Sequence, residues 1–245
     1  MAKAQTSPFF TPATLAFLRA LRENNRRDWF LAHKAEYEAQ ARAPALRFIE
    51  ALAAPLAAIS PQLVASPRPV GGSLFRIHRD TRFAHDKTPY KTHLGLSFYH
   101  AATRATPRAD AGNAAMGRLD APLCYLHIEP GASFIGGGIW HPQAPTLRAI
   151  RSYLVNNPAS WKQATRSPAF RARFTLGGES LQRPPQGYDP AHELIEDLKR
   201  KDIVASAPLS DAQICAPDLL EQALAHYQAL APLLDWLCGA LDLEF

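Results

Sequence analysis

The chain has 245 residues, enough to bury a substantial core in one large domain or two small ones. Its hydrophobic fraction of 47% and charged fraction of 20% are those of an ordinary soluble globular protein. The net charge of +5 suits an anionic partner but does not require one. No apolar run is long enough for a membrane span or a secretory signal, and the three cysteines form no CxxC pair. We therefore expect a cytoplasmic protein with buried free thiols and no membrane partner.

The first quarter of the chain is predicted to be helical. Thr11-Pro12 places a hydroxyl N-cap before a proline at the first helical position, and leucines then recur at helical spacing until Asn24-Asn25. A second helix is predicted to begin near Asp28, and a third, with one apolar face, to reach about Ile59. Each helix would turn an apolar side toward the core.

Strand patterns follow. Gly71-Gly72 opens a run rich in Phe and Ile that predicts a strand through Ile77 or Arg79, and residues 80–89 are predicted to form a loop. Residues 94–98 alternate apolar and polar or small side chains, which is typical of a half-buried strand.

A hairpin is predicted after an irregular stretch. Residues 101–122 are rich in Ala, Arg and Gly without periodicity, and we interpret them as a mobile surface insertion. Residues 123–129 alternate again, a Pro-Gly turn signal follows, and residues 133–140 are predicted to form the partner strand. The glycines at 136–138 suggest a β-bulge or a close backbone approach, and a bulge is favoured over a phosphate-binding loop because no GxGxxG pattern is present.

The C-terminal part returns to helix. Helices are predicted after Pro142, around residues 159–165, over residues 192–201 and from Pro217 onward, with one more strand at residues 203–205. Because helices at both ends flank a central, mainly antiparallel sheet, the predicted fold class is α+β. No internal repeat and no long linker divides the chain, so residues 1–245 are expected to form a single domain.

The segment from Ser73 to His93, SLFRIHRDTRFAHDKTPYKTH, concentrates charged groups on an apolar skeleton. That skeleton distinguishes it from disordered charge runs, which lack apolar anchors. Its cations are Arg76, Arg79, Arg82, Lys87 and Lys91, and its carboxylates are Asp80 and Asp86. A strand that turns near Asp80 could bring the arginines, spaced by three, toward one point.

Two interpretations of this segment are open. In the first, the five cations line a pocket for a small anionic ligand, phosphorylated or carboxylated, because Arg binds such groups at two points. Further candidate ligand-binding residues are Asn25, Trp29 and Trp140. The candidate catalytic residues, which would orient groups or transfer protons, are Asp80, Asp86 and Tyr90. In the second interpretation, the two Asp residues neutralise the arginines in a structural network of ion pairs.

A nucleic-acid-binding module is the alternative function. The basic segment would contact phosphates while Trp29, Tyr90 or Trp140 stacks on bases. The modest net charge and the absence of a basic helix make this the weaker hypothesis. The histidines show no HxH or HExxH spacing, so no metal site is predicted, and no motif identifies a cofactor.

The charged segment also carries a family resemblance. Residues 76–90 read RxxRDxRFxxDKxPY, which resembles the signature of an uncharacterised, mainly bacterial family, the domain of unknown function numbered 2461. Residues 17–30, 136–142 and 185–188 are similar to that family as well. The resemblance covers about residues 9–240 and implies a shared fold in one domain, but no particular reaction. It also implies that the 101–122 insertion is longer here than in the family pattern.

Overall fold

Apolar residues at helical spacing fold the N-terminal part into a run of helices. The structure, a computed structural model, describes residues 7–82, 85–105 and 120–245. The N-terminal elements are α1 (Pro12–Glu23), α2 (Arg27–Ala32), α3 (Lys34–Tyr37), a π-helical turn (Glu38–Arg42) and α4 (Ala43–Ala57). The apolar sides of α1 and α4 are buried, with Leu18 and Phe48 fully enclosed. The prediction of a helical first quarter is therefore confirmed.

An antiparallel sheet forms the centre of the described chain. Its strands are β1 (Leu63–Val64), β2 (Leu94–His100), β3 (Leu123–Ile128), β4 (Ser133–Ile139), β5 (Thr175–Gly177) and β6 (Ile203–Leu209). Their order in the sheet is β1-β2-β3-β4-β6-β5, and every pair of neighbours is antiparallel. The predicted hairpin after residue 122 is confirmed as β3 and β4.

The remaining helices of the described chain lie C-terminal to β4 and complete the core. They are α5 (Ala144–Asn156), α6 (Pro158–Arg166), α7 (Pro168–Arg171), α8 (Ile195–Leu198), α9 (Asp211–Ile214) and α10 (Leu219–Ala240). The long helix α10 packs against β4, where a Cβ on Gly137 would lie 2.8 Å from Leu230 Cδ2 and 2.2 Å from the Leu123 oxygen. Only glycine permits this close packing. The predicted α+β fold, a central antiparallel sheet with helices at both ends, is confirmed.

The two faces of the sheet differ in chemistry. On the α10 side, Phe98 of β2 meets Tyr227 with the ring centroids 5.8 Å apart. Because side chains alternate along a strand, the opposite face of β3 carries Tyr125 and His127. Phe75 covers this second face, since its ring lies 5.8 Å from that of Tyr125 and its N–H donates to the Gly95 oxygen at 2.9 Å. Polar aromatic side chains therefore line one half-buried face.

Two predictions about strands need correction, and the structure decides between two alternatives for the glycines of β4. The run after Gly71-Gly72 is not a regular strand, because it makes only isolated bridges, Leu74 to Leu96 and His78 to Tyr90. Strand β2 is buried along its whole length, where half burial was predicted; residues 73–75 pair with its edge, and the Phe75 ring lies over Gly95. No bulge interrupts the three glycines of β4, since residues 133–139 pair with β6 in continuous register. The glycines serve close backbone approach, which is the other alternative that the sequence suggested.

Ala101–Ala105, at the start of the predicted 101–122 insertion, form a 3-10 helix, and residues 106–119 lie outside the described residues. The helix predicted over residues 192–201 is confined to the four residues of α8. Arg151 donates to the oxygens of Leu198 and Arg200 at 2.8 and 3.1 Å, which stabilises the chain just after α8.

We propose that residues 1–245 form one domain, as the sequence suggested. The support is that buried side chains of the described chain, from Phe10 through the sheet to Leu237, belong to one connected hydrophobic cluster. Within the described residues, no helix combines the length and apolar character that a membrane span requires.

Candidate functional site

A cavity of about 580 Å³ lies between the end of α1 and the charged segment. Six residues predicted for the site line it: Asn25, Arg79, Asp80, Asp86, Tyr90 and Lys91. Four lining residues were not predicted: Arg22, Thr88, Thr92 and His93. The cavity therefore gathers part of the predicted set around one opening.

A short hairpin positions the charged side chains. The Arg79 N–H donates to the Pro89 oxygen at 2.9 Å, and the Lys91 N–H donates to the Ile77 oxygen at 2.8 Å. This antiparallel contact places the described residues 80–82 and 85–88 in the connecting loop, in agreement with the predicted loop at 80–89. Pro89 can end the loop because it needs to offer only its oxygen to this contact.

Asn25 fixes the hairpin to the N-terminal helices. Its side-chain Nδ2 donates to the Tyr90 oxygen at 2.9 Å, and its Oδ1 accepts from the Tyr90 N–H at 3.0 Å. The amide thus pairs with both backbone groups of one residue, as a neighbouring strand would. The Tyr90 side chain, 3% exposed, stacks on Phe30 of α2 with ring centroids 4.2 Å apart. The cavity wall is consequently held from two sides.

Two ion pairs organise the loop. Arg79 Nη1 donates to Asp86 Oδ2 and to Thr88 Oγ1, while the Thr88 N–H donates to Asp86 Oδ1 at 2.9 Å. Arg82 Nε and Nη2 donate to the two Asp80 carboxylate oxygens at 3.0 and 2.8 Å. Part of the segment therefore forms the ion-pair network that the second interpretation described.

These hydrogen bonds decide the acidity of both carboxylates. The Arg82 side chain lowers the pKa of Asp80 to about 2, and the Arg79 side chain, with Thr88, lowers the pKa of Asp86 to about 2. A general base works best when its pKa lies near the operating pH. At neutral pH, carboxylates with a pKa of about 2 accept protons poorly.

Lys91 has a different environment from the paired arginines. Its Nζ donates to the Arg76 oxygen at 2.9 Å and lies 5.5 Å from the centroid of the Phe75 ring. Burial, followed by the nearby charges of Arg76 and Arg79, lowers the pKa of Lys91. Within the described residues, no carboxylate forms an ion pair with Lys91.

The other predicted ligand-binding residues lie outside this cavity. Arg82 is turned to Asp80, and Lys87 Nζ donates to the Thr81 oxygen at 2.9 Å. Arg76 borders a separate cavity of about 210 Å³ beside α3 and α4. Trp29 stacks on His33 with ring centroids 4.0 Å apart, whereas Trp140 is 46% exposed at the end of β4. Thus the arginines spaced by three do not converge on one point.

A cluster of His93, His127 and Glu129 adjoins the cavity through His93. One potential ligand atom from each residue lies within 4.8 Å of the other two. His127 Nε2 is 3.1 Å from Glu129 Oε2, and the His93 and His127 ring centroids are 4.3 Å apart. Burial lowers the pKa of both histidines, that of His93 to about 4. No HxH or HExxH spacing signals this cluster, because His93 precedes β2 while His127 and Glu129 lie at the end of β3.

Comparison with known proteins identifies the family. Residues 13–236 match the family described as a conserved hypothetical protein, DUF2461. The chain belongs to the DUF2461 family. Neither the curated proteins nor the solved structures compared with the chain gave a match.

Membership confirms the family that the charged segment resembled. The match reaches from the second residue of α1 to the last part of α10, so it includes the cavity, the histidine cluster and the sheet. The DUF2461 description states no activity. A function must therefore be argued from the geometry of the site.

Proposed function

We propose that the cavity beside the charged segment binds a small anionic ligand, phosphorylated or carboxylated. The observation that carries this proposal is Lys91, a half-buried cation on the cavity wall beside further cations and without a carboxylate partner among the described residues. A buried cation without a counterion is costly, and an anion in the cavity would offset that cost.

The balance of charge on the cavity wall supports an anion. Asp80 and Asp86 are each held by an arginine, so their negative charge is largely compensated. Arg22, in the last turn of α1, adds an exposed cation that forms no ion pair within the described part of the chain. Arg22 and Lys91 are the cations available to a ligand, and Arg79 could share its guanidinium between Asp86 and that ligand.

The ionised aspartates suit a positioning role. With a pKa of about 2, Asp80 and Asp86 stay charged and keep Arg82 and Arg79 in place. Tyr90 contributes a buried ring that fixes the wall against α2. In this proposal the three residues predicted as catalytic shape the pocket, and binding does not require them to transfer protons.

Inorganic phosphate is the first probe for this proposal. If the dissociation constant is millimolar, phosphate at ten times that concentration should raise the free energy of unfolding by about 1.4 kcal/mol. This corresponds to a rise in the melting temperature of about 3 °C. Lys91→Met should remove most of this rise. The matched control is Lys87→Met, because Lys87 belongs to the same segment but lies outside the cavity.

Two outcomes would contradict the proposal. One is a melting temperature that neither phosphate nor sulfate changes, and the other is an equal phosphate response in the wild-type protein and in Lys91→Met. Arg79→Ala supplies an independent check: lost phosphate binding with a retained fold supports the pocket, whereas unfolding supports a purely structural network. Circular dichroism separates these two results.

Nucleic acid is less well supported as the ligand. Two of the three aromatic rings considered for base stacking, Tyr90 and Trp29, already stack on Phe30 and His33. Binding of an oligonucleotide that weakens steeply with salt would nevertheless favour nucleic acid over a small anion. We also keep the proposal of a cytoplasmic location, which the three free cysteines support.

A further inference from the structure

Two neighbouring strands bring the cluster of His93, His127 and Glu129 together. His127 and Glu129 stand two residues apart at the end of β3, so their side chains share one face of the sheet. Leu94 pairs with Ile128, so one more step of the same register sets His93 opposite Glu129. All three side chains therefore lie on the face that Phe75 covers, away from α10.

The donor set is typical of a transition-metal site. Two imidazoles and one carboxylate bind Zn²⁺ in several hydrolases and Fe²⁺ in many oxygenases, with coordination positions left open. Ligand atoms that share one ion stand about 3 to 4 Å apart, because each lies about 2.1 Å from it. The three potential ligand atoms lie within 4.8 Å of one another, so side-chain rotations that move these atoms by about 1 Å would complete the arrangement.

We propose that His93, His127 and Glu129 bind one divalent transition-metal ion of the Zn²⁺ or Fe²⁺ type. The strands hold the three backbones in register, so the site needs no rearrangement of the sheet. The side chains of His127 and Glu129 are 12% and 26% exposed, which leaves an ion a path to the site.

Tyr125 would position the central ligand. Its hydroxyl lies 3.3 Å from His127 Nδ1, on the ring edge away from Glu129. Metal-binding histidines usually hydrogen-bond through the second ring nitrogen, and this contact sets the tautomer and the ring orientation. His127 also stacks on Phe134 with ring centroids 4.7 Å apart, which limits rotation of the ring. Tyr125 is thus a positioning residue for the ion and not a ligand.

His93 links the ion to the cavity, because it belongs to the cluster and also to the cavity wall. An anionic ligand could therefore occupy an open position on the ion while Lys91 and Arg22 bind its other oxygens. This last step rests on the proposed anion-binding function. The metal site itself does not, since its three ligands need no anion.

Metal binding can be measured directly on the full chain, without a polyhistidine tag and after treatment with a chelator. Isothermal titration with Zn²⁺, and with Fe²⁺ under anaerobic conditions, should show one ion per chain. Glu129→Gln and His93→Ala should each weaken binding by more than about 100-fold, because loss of an outer hydrogen bond alone costs 10- to 100-fold. Tyr125→Phe should weaken it by about tenfold.

The matched control is His78→Ala, because His78 lies on the same charged segment but outside the cluster. The His78→Ala variant should bind the ion with the affinity of the wild-type protein. Absorption of bound Co²⁺ in the visible range should report a site of low coordination number in the wild-type protein and in His78→Ala, but not in Glu129→Gln or His93→Ala. The proposal is overturned if the chain binds no stoichiometric metal, or if Glu129→Gln binds it as tightly as the wild-type protein. A phosphate titration without added metal tests the anion pocket alone, so failure of the pocket can be distinguished from failure of the metal site.

Discussion

Asp202 and the carboxylates of the charged loop show two ways in which this fold uses acidic side chains. Asp202 is 1% exposed at the start of β6, where Oδ1 accepts from the His141 N–H at 2.7 Å and Oδ2 accepts from the Glu179 N–H at 2.8 Å. Asp86, by contrast, is 58% exposed and is held by side chains of its own loop. One carboxylate joins distant backbone segments, and the other orders a local turn.

The buried carboxylate of Asp202 is expected to matter for stability, whereas the exposed carboxylate of Asp86 is expected to matter for ligand binding. A buried carboxylate whose oxygens satisfy backbone N–H groups cannot be replaced without leaving donors unpaired. Exposed ion pairs contribute little to stability, because water already solvates both charges. The charged loop can therefore exchange partners with a ligand, whereas the contacts of Asp202 hold the segments that follow β4 and β5 to the start of β6.

The largest effect is expected at Asp202. Asp202→Ala should lower the free energy of unfolding by about 3 kcal/mol, because the N–H groups of His141 and Glu179 lose their acceptors in a buried site. Asp202→Asn should cost less but should not be neutral, since its amide group would face one of these donors. Urea denaturation followed by circular dichroism measures both changes.

Asp235→Ala is the matched control. Asp235 lies on the exposed side of α10, and we expect its replacement to change stability by no more than about 0.5 kcal/mol. Equal stability of the Asp202 and Asp235 variants would contradict the distinction between the two kinds of carboxylate.

A medium effect is expected at Asn25, which joins the charged loop to the N-terminal helices. Asn25→Ala removes both hydrogen bonds to the Tyr90 backbone and should cost about 2 kcal/mol. It should also weaken phosphate binding, because the wall that carries Lys91 loses its anchor. Asn24→Ala is the control, since within the described residues the Asn24 side chain donates to the Ala20 oxygen of its own helix and not to the charged segment. If both variants behave alike, Asn25 does not hold the loop.

Sequence patterns predicted the faces of the strands but not their neighbours. Alternation separates His93 from Leu94 and His127 from Leu126, and the structure places these residues on opposite faces as alternation requires. The pairing of β2 with β3 in one register brings His93 to Glu129, and no local pattern encodes that register. The histidine cluster was missed for this reason.

The charged segment shows the same limit. Its charges and its turn at residues 80–89 were predictable, because prolines and aspartates have strong local preferences. The partners of each arginine were not, since Arg79 and Arg82 both have an acidic residue within reach and the loop geometry decides the pairing. Arg22 was not predicted because it joins the site through the packing of α1.

The smallest effect is expected at Arg82, the partner of Asp80. Arg82→Met should leave the melting temperature at pH 7 within about 2 °C of the wild-type value, because the pair is exposed. It should, however, raise the pKa of Asp80 from about 2 toward its ordinary value of 3.8, since the hydrogen bonds from the Arg82 side chain are lost while the backbone N–H of residue 82 still donates to Asp80. Carboxyl-carbon NMR during an acid titration measures this pKa.

The sign of the pH dependence follows from the same shift. The pKa of Asp80 is lower in the folded protein than in the unfolded chain, so its stabilising contribution is complete above about pH 4 and is lost as the pH falls toward 2. The Arg82→Met variant should lose less stability in that window than the wild-type protein. Asp86, held by Arg79, should keep its pKa near 2 in the same variant. A joint shift of both carboxylates would mean that the loop acts as one network, and the two ion pairs could not then respond separately to a ligand.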